Sequence, residues 1–304
     1  MSSPPLIFDR TLRRARLDRA ATDFPTADFL HARAAEDAVE RLETILRDFP
    51  LAVDLGARTG GFAQKLSQSD AAGRVGALIE MDLSPAMLHA GRGGRSALRL
   101  IADEERLPFA PESLNLAVSL LSLHTTNDLV GALIQIRRAL KPDGLFLGAF
   151  LGGATLTELR QSLLEAEDEI SGGSGPRVFP FADGFDGAGL LQRAGFTLPV
   201  SDVDRVTVRY DSPLKLMADL RAMGETNVLL ARPRKPLTRA VLARTFEIYA
   251  ERFGSPDGRI PATFEIISLT GWAAHESQQT ALKPGSAKMR LADALGVHEH
   301  RAPR

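Results

Sequence analysis

The chain has 304 residues, enough for one large domain or two small ones. With 44% hydrophobic and 25% charged residues it can bury a substantial core. A net charge of -1, from 37 basic and 38 acidic residues, argues against nucleic-acid binding by phosphate neutralisation. Cysteine is absent from the sequence, which excludes disulfides and thiolate metal sites and suits a reducing compartment, so a cytoplasmic location is expected. No apolar run reaches the length of a transmembrane segment, and Met1 to Phe8 lacks the basic and apolar regions of a secretory signal.

Taken in order, residues 1–50 read as an N-terminal helical segment. Arg10, Arg13, Arg14, Arg16 and Arg19 share a helix that either presents a solvated face or covers a ligand cleft and offers arginines to an anionic group. Phe29 to Asp48 continues at helical spacing until Phe49-Pro50. Residues 51–150 read as a nucleotide-binding core of alternating strands and helices. Its strands are Leu51 to Leu55, Gly73 to Asp82, Leu98 to Ile101, Leu114 to Leu121 and Leu145 to Phe150, the last after a turn at Lys141-Pro142-Asp143-Gly144. Helices Gly61 to Ser67, Ala86 to Ala90 (capped by Ser84-Pro85) and Asp128 to Leu140 lie between them. Such alternation predicts an α/β, doubly wound, mostly parallel sheet.

Residues 151–282 add further strands at Val206 to Tyr210 and Thr263 to Trp272, with helices at Leu214 to Met223 and Leu237 to Arg252 inserted before the last strand. The insertion is expected to shape a substrate or partner site. The glycine-rich Ser171 to Pro176 is a lid hinge or a surface connection. Residues 283–304 form a polar tail.

The first strand runs straight into Gly56-Ala57-Arg58-Thr59-Gly60-Gly61, a turn in which a ligand approaches the backbone more closely than side chains allow. Asp54, Asp82 and Asp103 end three successive strands, so parallel pairing brings them to one crevice. Asp82, with Leu83 beside it, lies about twenty residues past the turn, the offset of a carboxylate that grips ribose hydroxyls, and Glu80 competes for that role. Asp103 or Glu104 would meet an exocyclic amine, and the backbone from Gly56 through Ala57 to Gly60 would pack on an amino-acid tail. S-Adenosyl-L-methionine has those three parts, and its sulfonium is favoured by acids. A dinucleotide fits less well, because Arg58 stands at the third position of its glycine fingerprint.

The strings Val53-Asp54-Leu55-Gly56-x-x-x-Gly60, Asp82-Leu83-Ser84-Pro85-Ala86-Met87-Leu88, Ala102-Asp103 before Leu107-Pro108-Phe109, and Leu140-Lys141-Pro142-Asp143-Gly144 together resemble a class I methyltransferase. Phe8-Asp9-Arg10, Leu121-Ser122-Leu123-His124, Gly152-Gly153, Met223-Gly224-Glu225 and Gly271-Trp272 before His275-Glu276-Ser277 narrow the resemblance to the complex I assembly factor 5 family. Malonyl-carrier-protein methyltransferases are its relatives. The resemblance implies a seven-stranded Rossmann-like sheet. It also implies S-adenosylmethionine held by Asp54, Gly56, Gly60, Asp82, Asp103 and backbone near Leu120. The acceptor it implies is a small molecule, an acyl carrier or a protein, among them an iron-sulfur subunit of complex I. Arg58 replaces a glycine common in the family and either crowds the cofactor or projects into solvent; Asn115 replaces an acid and Thr125 a tryptophan.

His124 is the candidate base or substrate contact, against the alternative of a histidine satisfying its own loop. Neither it nor His275-Glu276 has a further ligand at metal spacing. Three readings follow: a methyltransferase, the protein-arginine hydroxylase implied by the resemblance, and an assembly factor that keeps the cofactor without catalysis.

Overall fold

The computed structural model describes residues 6–91, 98–181, 186–279 and 296. The expected polar tail lies outside the described residues apart from Gly296. The chain divides into two compact units, Met1–Ala274 and His275–Arg304, and the first carries everything below.

Seven strands form one sheet: β1 (Phe49–Leu55), β2 (Val75–Asp82), β3 (Leu98–Ile101), β4 (Leu114–Leu120), β5 (Leu140–Leu151), β6 (Thr197–Tyr210) and β7 (Ile260–Trp272), in the order β3-β2-β1-β4-β5-β7-β6. Strands β1 to β5 pair in parallel, and β7 runs antiparallel to β5 and β6. Strand order reverses beside β1, so a crevice opens where β1 and β4 end. Alternate residues of β1 serve opposite cores. Ala52 packs beneath α2 (Phe29–Thr44) and α3 (Gly61–Ser67), while Val53 and Leu55 pack against α5 (Leu129–Ala139) and α7 (Gly187–Arg193). Burial on both faces explains the unbroken apolar runs of the central strands.

Three boundaries differ from the sequence reading by four residues or more. α2 stops at Thr44, not Asp48, because Ile45 turns extended and the chain must rise to pair Phe49 with Val75. The Lys141 to Gly144 turn is absorbed as an irregular start to β5: Leu140 pairs with Leu114, and the register then shifts before Leu145 meets Leu116. Strand β6 begins at Thr197, nine residues before Val206. The stretch ahead of Val206 carries Asp202, Asp204 and Arg205, charges that conceal a strand. Those acids are spoken for: Asp202 pairs with Arg41 and Asp204 with Arg33, both on α2.

The helices α8 (Pro213–Ala222) and α9 (Arg239–Phe253) fall between β6 and β7, as expected of the insertion. α6 (Thr157–Ser171) packs along α9, and the Gly-rich stretch after it is tied down by Glu167, which accepts from the Gly175 amide and pairs with Arg177.

The arginine-rich helix α1 (Arg10–Ala20) does not simply face water. Its N-terminus is capped by the Asp9 carboxylate, which accepts from the Leu12 amide at 3.0 Å. Arg14 is 52% exposed, but Arg13, Leu17 and Ala20, spaced as one helical face, are buried. Leu17 packs with Phe24 and with Met87 of α4 (Pro85–Ala90). It also lies so close to Gly224 that a Cβ there would come within 2.9 Å of a Leu17 methyl. Arg13, 1% exposed, donates to the Gly224 carbonyl at 2.8 Å and pairs with Glu225 at 2.6 Å. Breaking a buried pair leaves its partner's charge uncompensated, so Arg13→Ala is expected to cost about 3–5 kcal/mol of stability in urea denaturation. A loss under about 1 kcal/mol would mean the pair behaves like an exposed one.

Candidate active site at the strand tips

The glycine turn is built as its residues require. Gly56 and Gly60 have φ of +79° and +81°, and the Gly56 and Ala57 amides donate to the Met81 carbonyl at 2.7 and 3.0 Å, locking the turn to β2. A Cβ at Gly60 would stand 2.6 Å from a Glu80 carboxylate oxygen, so this glycine is set by what lies beneath it. Glu80 accepts from Arg99 at 3.2 Å and lies in register with Asp54, under the turn.

Arg58 also has a positive φ, +52°, a left-handed conformation that costs a non-glycine residue. Of the two outcomes left open by the sequence, projection into solvent does not occur: Arg58 is 2% exposed. Its Nη1 donates to Asp82 Oδ2 at 2.8 Å, and its backbone amide donates to the same oxygen at 3.0 Å. The other oxygen of Asp82 accepts from the Ser84 amide at 2.7 Å, so both oxygens of this wholly buried carboxylate are engaged from within the chain. Nη2 of Arg58 reaches the Leu121 carbonyl at 3.3 Å, while Nε is buried with no partner. Burial works against the guanidinium's charge, but the carboxylates of Asp82, Glu104 and Glu225 outweigh it and raise its pKa.

Asp103 and Glu104 are likewise turned onto an arginine. Arg10 of α1 pairs with Asp103 at 2.6 Å and with Glu104, and Glu104 also accepts from the Ser122 hydroxyl. The arginines of α1 do enter the cleft, as one sequence reading had it, but they meet the chain's own acids. Asp54, Gly56, Ala57 and Leu120 instead line an open cavity of about 180 Å³ with His31 and Phe24. Leu83, half-buried, and Gly60 are not among that cavity's lining residues.

Asp54 differs from its neighbours in having no arginine. Burial, together with the charges of Glu80 and Asp82, pushes its carboxyl up to about 8. Its folded pKa therefore lies above the unfolded value, and its contribution to stability is lost as pH rises from about 4 through 8. Asp54→Asn is expected to flatten that decline and to raise the melting temperature more at pH 8 than at pH 5. Parallel melting curves for the two proteins across that range would show Asp54 to be ionised throughout.

Beyond Leu121 a second, smaller cavity of about 60 Å³ is lined by Leu121, His124, Phe179, Phe181 and Glu225, and by His31 again. His31 thus stands between the two. Both its ring nitrogens are buried without partners, and burial, with the charge of Arg58, drops its pKa to about 3. His124 is not satisfied by its own loop. Its Nε2 lies 3.3 Å from Glu225 Oε2, and its Nδ1 is buried with no partner. Burial lowers the His124 pKa despite the opposing charge of Glu225. Burial raises that of Glu225, but Arg13 and His124 overcome it and hold Glu225 well below the usual carboxylate range. Sequence reasoning named His124 but not Glu225 or His31. Glu225 was visible only within a matched string, and His31 only as a polar residue between Leu30 and Ala34 on an apolar helix face.

The donor and acceptor set can be matched to the cofactor that the sequence suggests. Asp82 is a buried acceptor-only carboxylate, the kind of group that a ribose diol donates to, and Arg58 now donates to it. Asp54 lines the open cavity beside the glycine turn. Acceptors and an acid-lined cavity at the strand tips fit S-adenosylmethionine.

A family profile described as a methyltransferase domain matches residues 53–148. Among curated proteins the chain is 39% identical over 290 residues to the zebrafish (Danio rerio) "Arginine-hydroxylase NDUFAF5, mitochondrial", covering 94% of this chain and 89% of that protein. It is 33% identical to a "Malonyl-[acyl-carrier protein] O-methyltransferase" of Halorhodospira halophila, with 97% of each chain covered. Of solved structures, the YcgJ protein of Bacillus subtilis superposes with a TM-score of 0.55 at 15% identity, over 80% of this chain and 99% of that one, a likeness of fold.

Proposed function

From the premise that the chain belongs to the class I S-adenosylmethionine-dependent methyltransferase family, in the branch that holds the NDUFAF5 proteins and the malonyl-[acyl-carrier protein] O-methyltransferases, we propose that it methylates an acceptor held against His124. The observation that carries this reading is the unpartnered Nδ1 of His124, on the wall of a cavity that shares His31 with the glycine-loop cavity.

When bound, the cofactor supplies a methyl group on a sulfonium, already activated, so that alignment of the incoming nucleophile provides most of the acceleration. The chain's own residues do the rest. Asp54 and the turn from Gly56 to Gly60 hold the cationic end, and Leu121, Phe179 and Phe181 exclude water from the acceptor. Glu225 accepts a hydrogen bond from Nε2–H of the neutral His124, which leaves the Nδ1 lone pair facing the cavity. Because burial keeps the imidazole neutral, it can accept the proton that an acceptor oxygen, nitrogen or sulfur releases as its bond to the methyl group forms. Asp82, Asp103 and Glu104, with the backbone at Leu120, are the residues proposed for the adenosine half. The acceptor is a small molecule, an acyl carrier or a protein. The cysteine-free composition supports a reducing compartment.

The arginine-hydroxylase name of the NDUFAF5 relatives favours a second reading, in which the substrate is a protein arginine and dioxygen with a two-electron reductant, both from outside the chain, supplies the oxygen; the family resemblance suggests an iron-sulfur subunit of complex I as that protein. Glu225 gives a guanidinium an ion-pair partner in the cavity. Mass spectrometry of complex I subunits from a deletion strain separates the readings: a lost methyl group supports the first, a lost oxygen the second.

With methyl-labelled S-adenosylmethionine and cell lysate, the wild-type chain is expected to label a lysate component. His124→Gln should lower that labelling by about 10²–10⁴-fold while S-adenosylhomocysteine affinity stays within about twofold. Absence of label with the wild type overturns the methyltransferase reading. Equal labelling by the two proteins removes His124 from the chemistry and points to an acceptor that carries no proton, such as a carboxylate.

A further inference from the structure

We infer that Arg58 is an internal counter-ligand of the cofactor slot: its guanidinium holds Asp82 in the free protein, and the cofactor's ribose must displace it to bind. The inference rests on the reading of this slot as the S-adenosylmethionine site and goes beyond it, to what sets the affinity.

Four observations point the same way. First, Asp82 Oδ2 is engaged twice by Arg58, through the side chain at 2.8 Å and the amide at 3.0 Å, and Oδ1 is engaged by Ser84, so a diol that takes both oxygens must compete with the chain's own donors. Second, the position is an imperfect one for a guanidinium. Nε is buried without a partner, Ser122 Oγ is at the limit of hydrogen-bond reach at 3.5 Å, and the backbone is left-handed at φ +52°. A residue bound for structural reasons alone would be expected to satisfy all its donors. Third, the open cavity already borders Arg58, so the side chain has somewhere to go. Fourth, Arg58 pairs directly with Asp82, whereas the neighbouring acids that carry an arginine take it from elsewhere. Asp103 and Glu104 are held by Arg10, and Glu80 by Arg99. Releasing Arg58 therefore frees one carboxylate, the one at the ribose offset.

The backbone contribution separates from the side-chain one. The Arg58 amide donates to Asp82 whatever residue stands there, and a glycine would adopt the same φ without strain. Substitution with glycine thus removes the competitor and leaves the turn. Asparagine, which tolerates the left-handed region, serves as the second variant should glycine loosen the loop.

A latch that closes the slot most of the time taxes affinity by the fraction of molecules in which it is open. Calorimetric titration of S-adenosylhomocysteine into the full chain is expected to show tighter binding for Arg58→Gly and Arg58→Asn, by about tenfold or more over wild type. In an Asp82→Ala background, where the latch has no keeper, the same Arg58→Gly change should gain less than about threefold, a non-additivity that loop flexibility alone does not produce. Wild-type affinity retained unchanged in both variants overturns the inference and leaves the cofactor reading intact. Weaker binding in both shows Arg58 to be a ligand and also overturns it. No heat with any of the proteins, at ligand concentrations that saturate related enzymes, overturns the inference and the cofactor reading together.

Discussion

Carboxylates gathered at the carboxyl ends of parallel strands have to be neutralised before the sheet can bury them, and in this chain that requirement organises everything around the crevice. An unpaired buried carboxylate costs several kcal/mol, roughly, in the absence of compensating partners. Each acid here finds a different remedy. Asp82 takes Arg58 from the turn beside it, and Asp103 and Glu104 take Arg10 from α1. Glu80 takes Arg99 from the neighbouring strand, and Asp54 keeps its proton. Since the partners come from the N-terminal helix, the glycine turn and β3, satisfying the acids also fixes how those elements pack.

The same logic extends to the second cavity. Glu225 is buried because Arg13 and His124 share its charge, and Arg13 lies on the helix that delivers Arg10 to Asp103 and Glu104. The charge of Arg58 is felt at both His31 and His124. The two cavities are thus electrostatically coupled, divided by an imidazole whose ring nitrogens have no hydrogen-bond partner.

Much of the architecture was legible from local pattern. The short helix Gly61–Ser67 and the strand Leu98–Ile101 have the bounds that capping and apolar spacing indicate, and the last two strands lie where the family resemblance placed them. What escaped was decided at long range. The stretch of β6 ahead of Val206 looks like a loop because its acids answer to α2, which no local window contains. Arg58 could be flagged as a departure from the glycine pattern, but whether it turned inward depended on Asp82, 24 residues away. Glu225 carried no local signal beyond its place in the string Met223-Gly224-Glu225. It acquires its role from His124, 101 residues distant, and Arg13, 212 residues distant. Residues whose chemistry depends on charge compensation are the ones that a linear reading leaves undecided.

The long outer strand β6 has a bearing on solubility. It is the last strand of the sheet, the kind of edge that recruits a strand from another molecule, and Leu198, Val200 and Val203 are about half exposed along it. Asp202, Asp204, Arg205 and Arg209 interrupt that row with charge. These side chains act as gatekeepers against self-association as well as fastening the strand to its neighbours. Surface engineering that neutralised them to favour crystal packing would open the sheet to aggregation while leaving the cleft untouched.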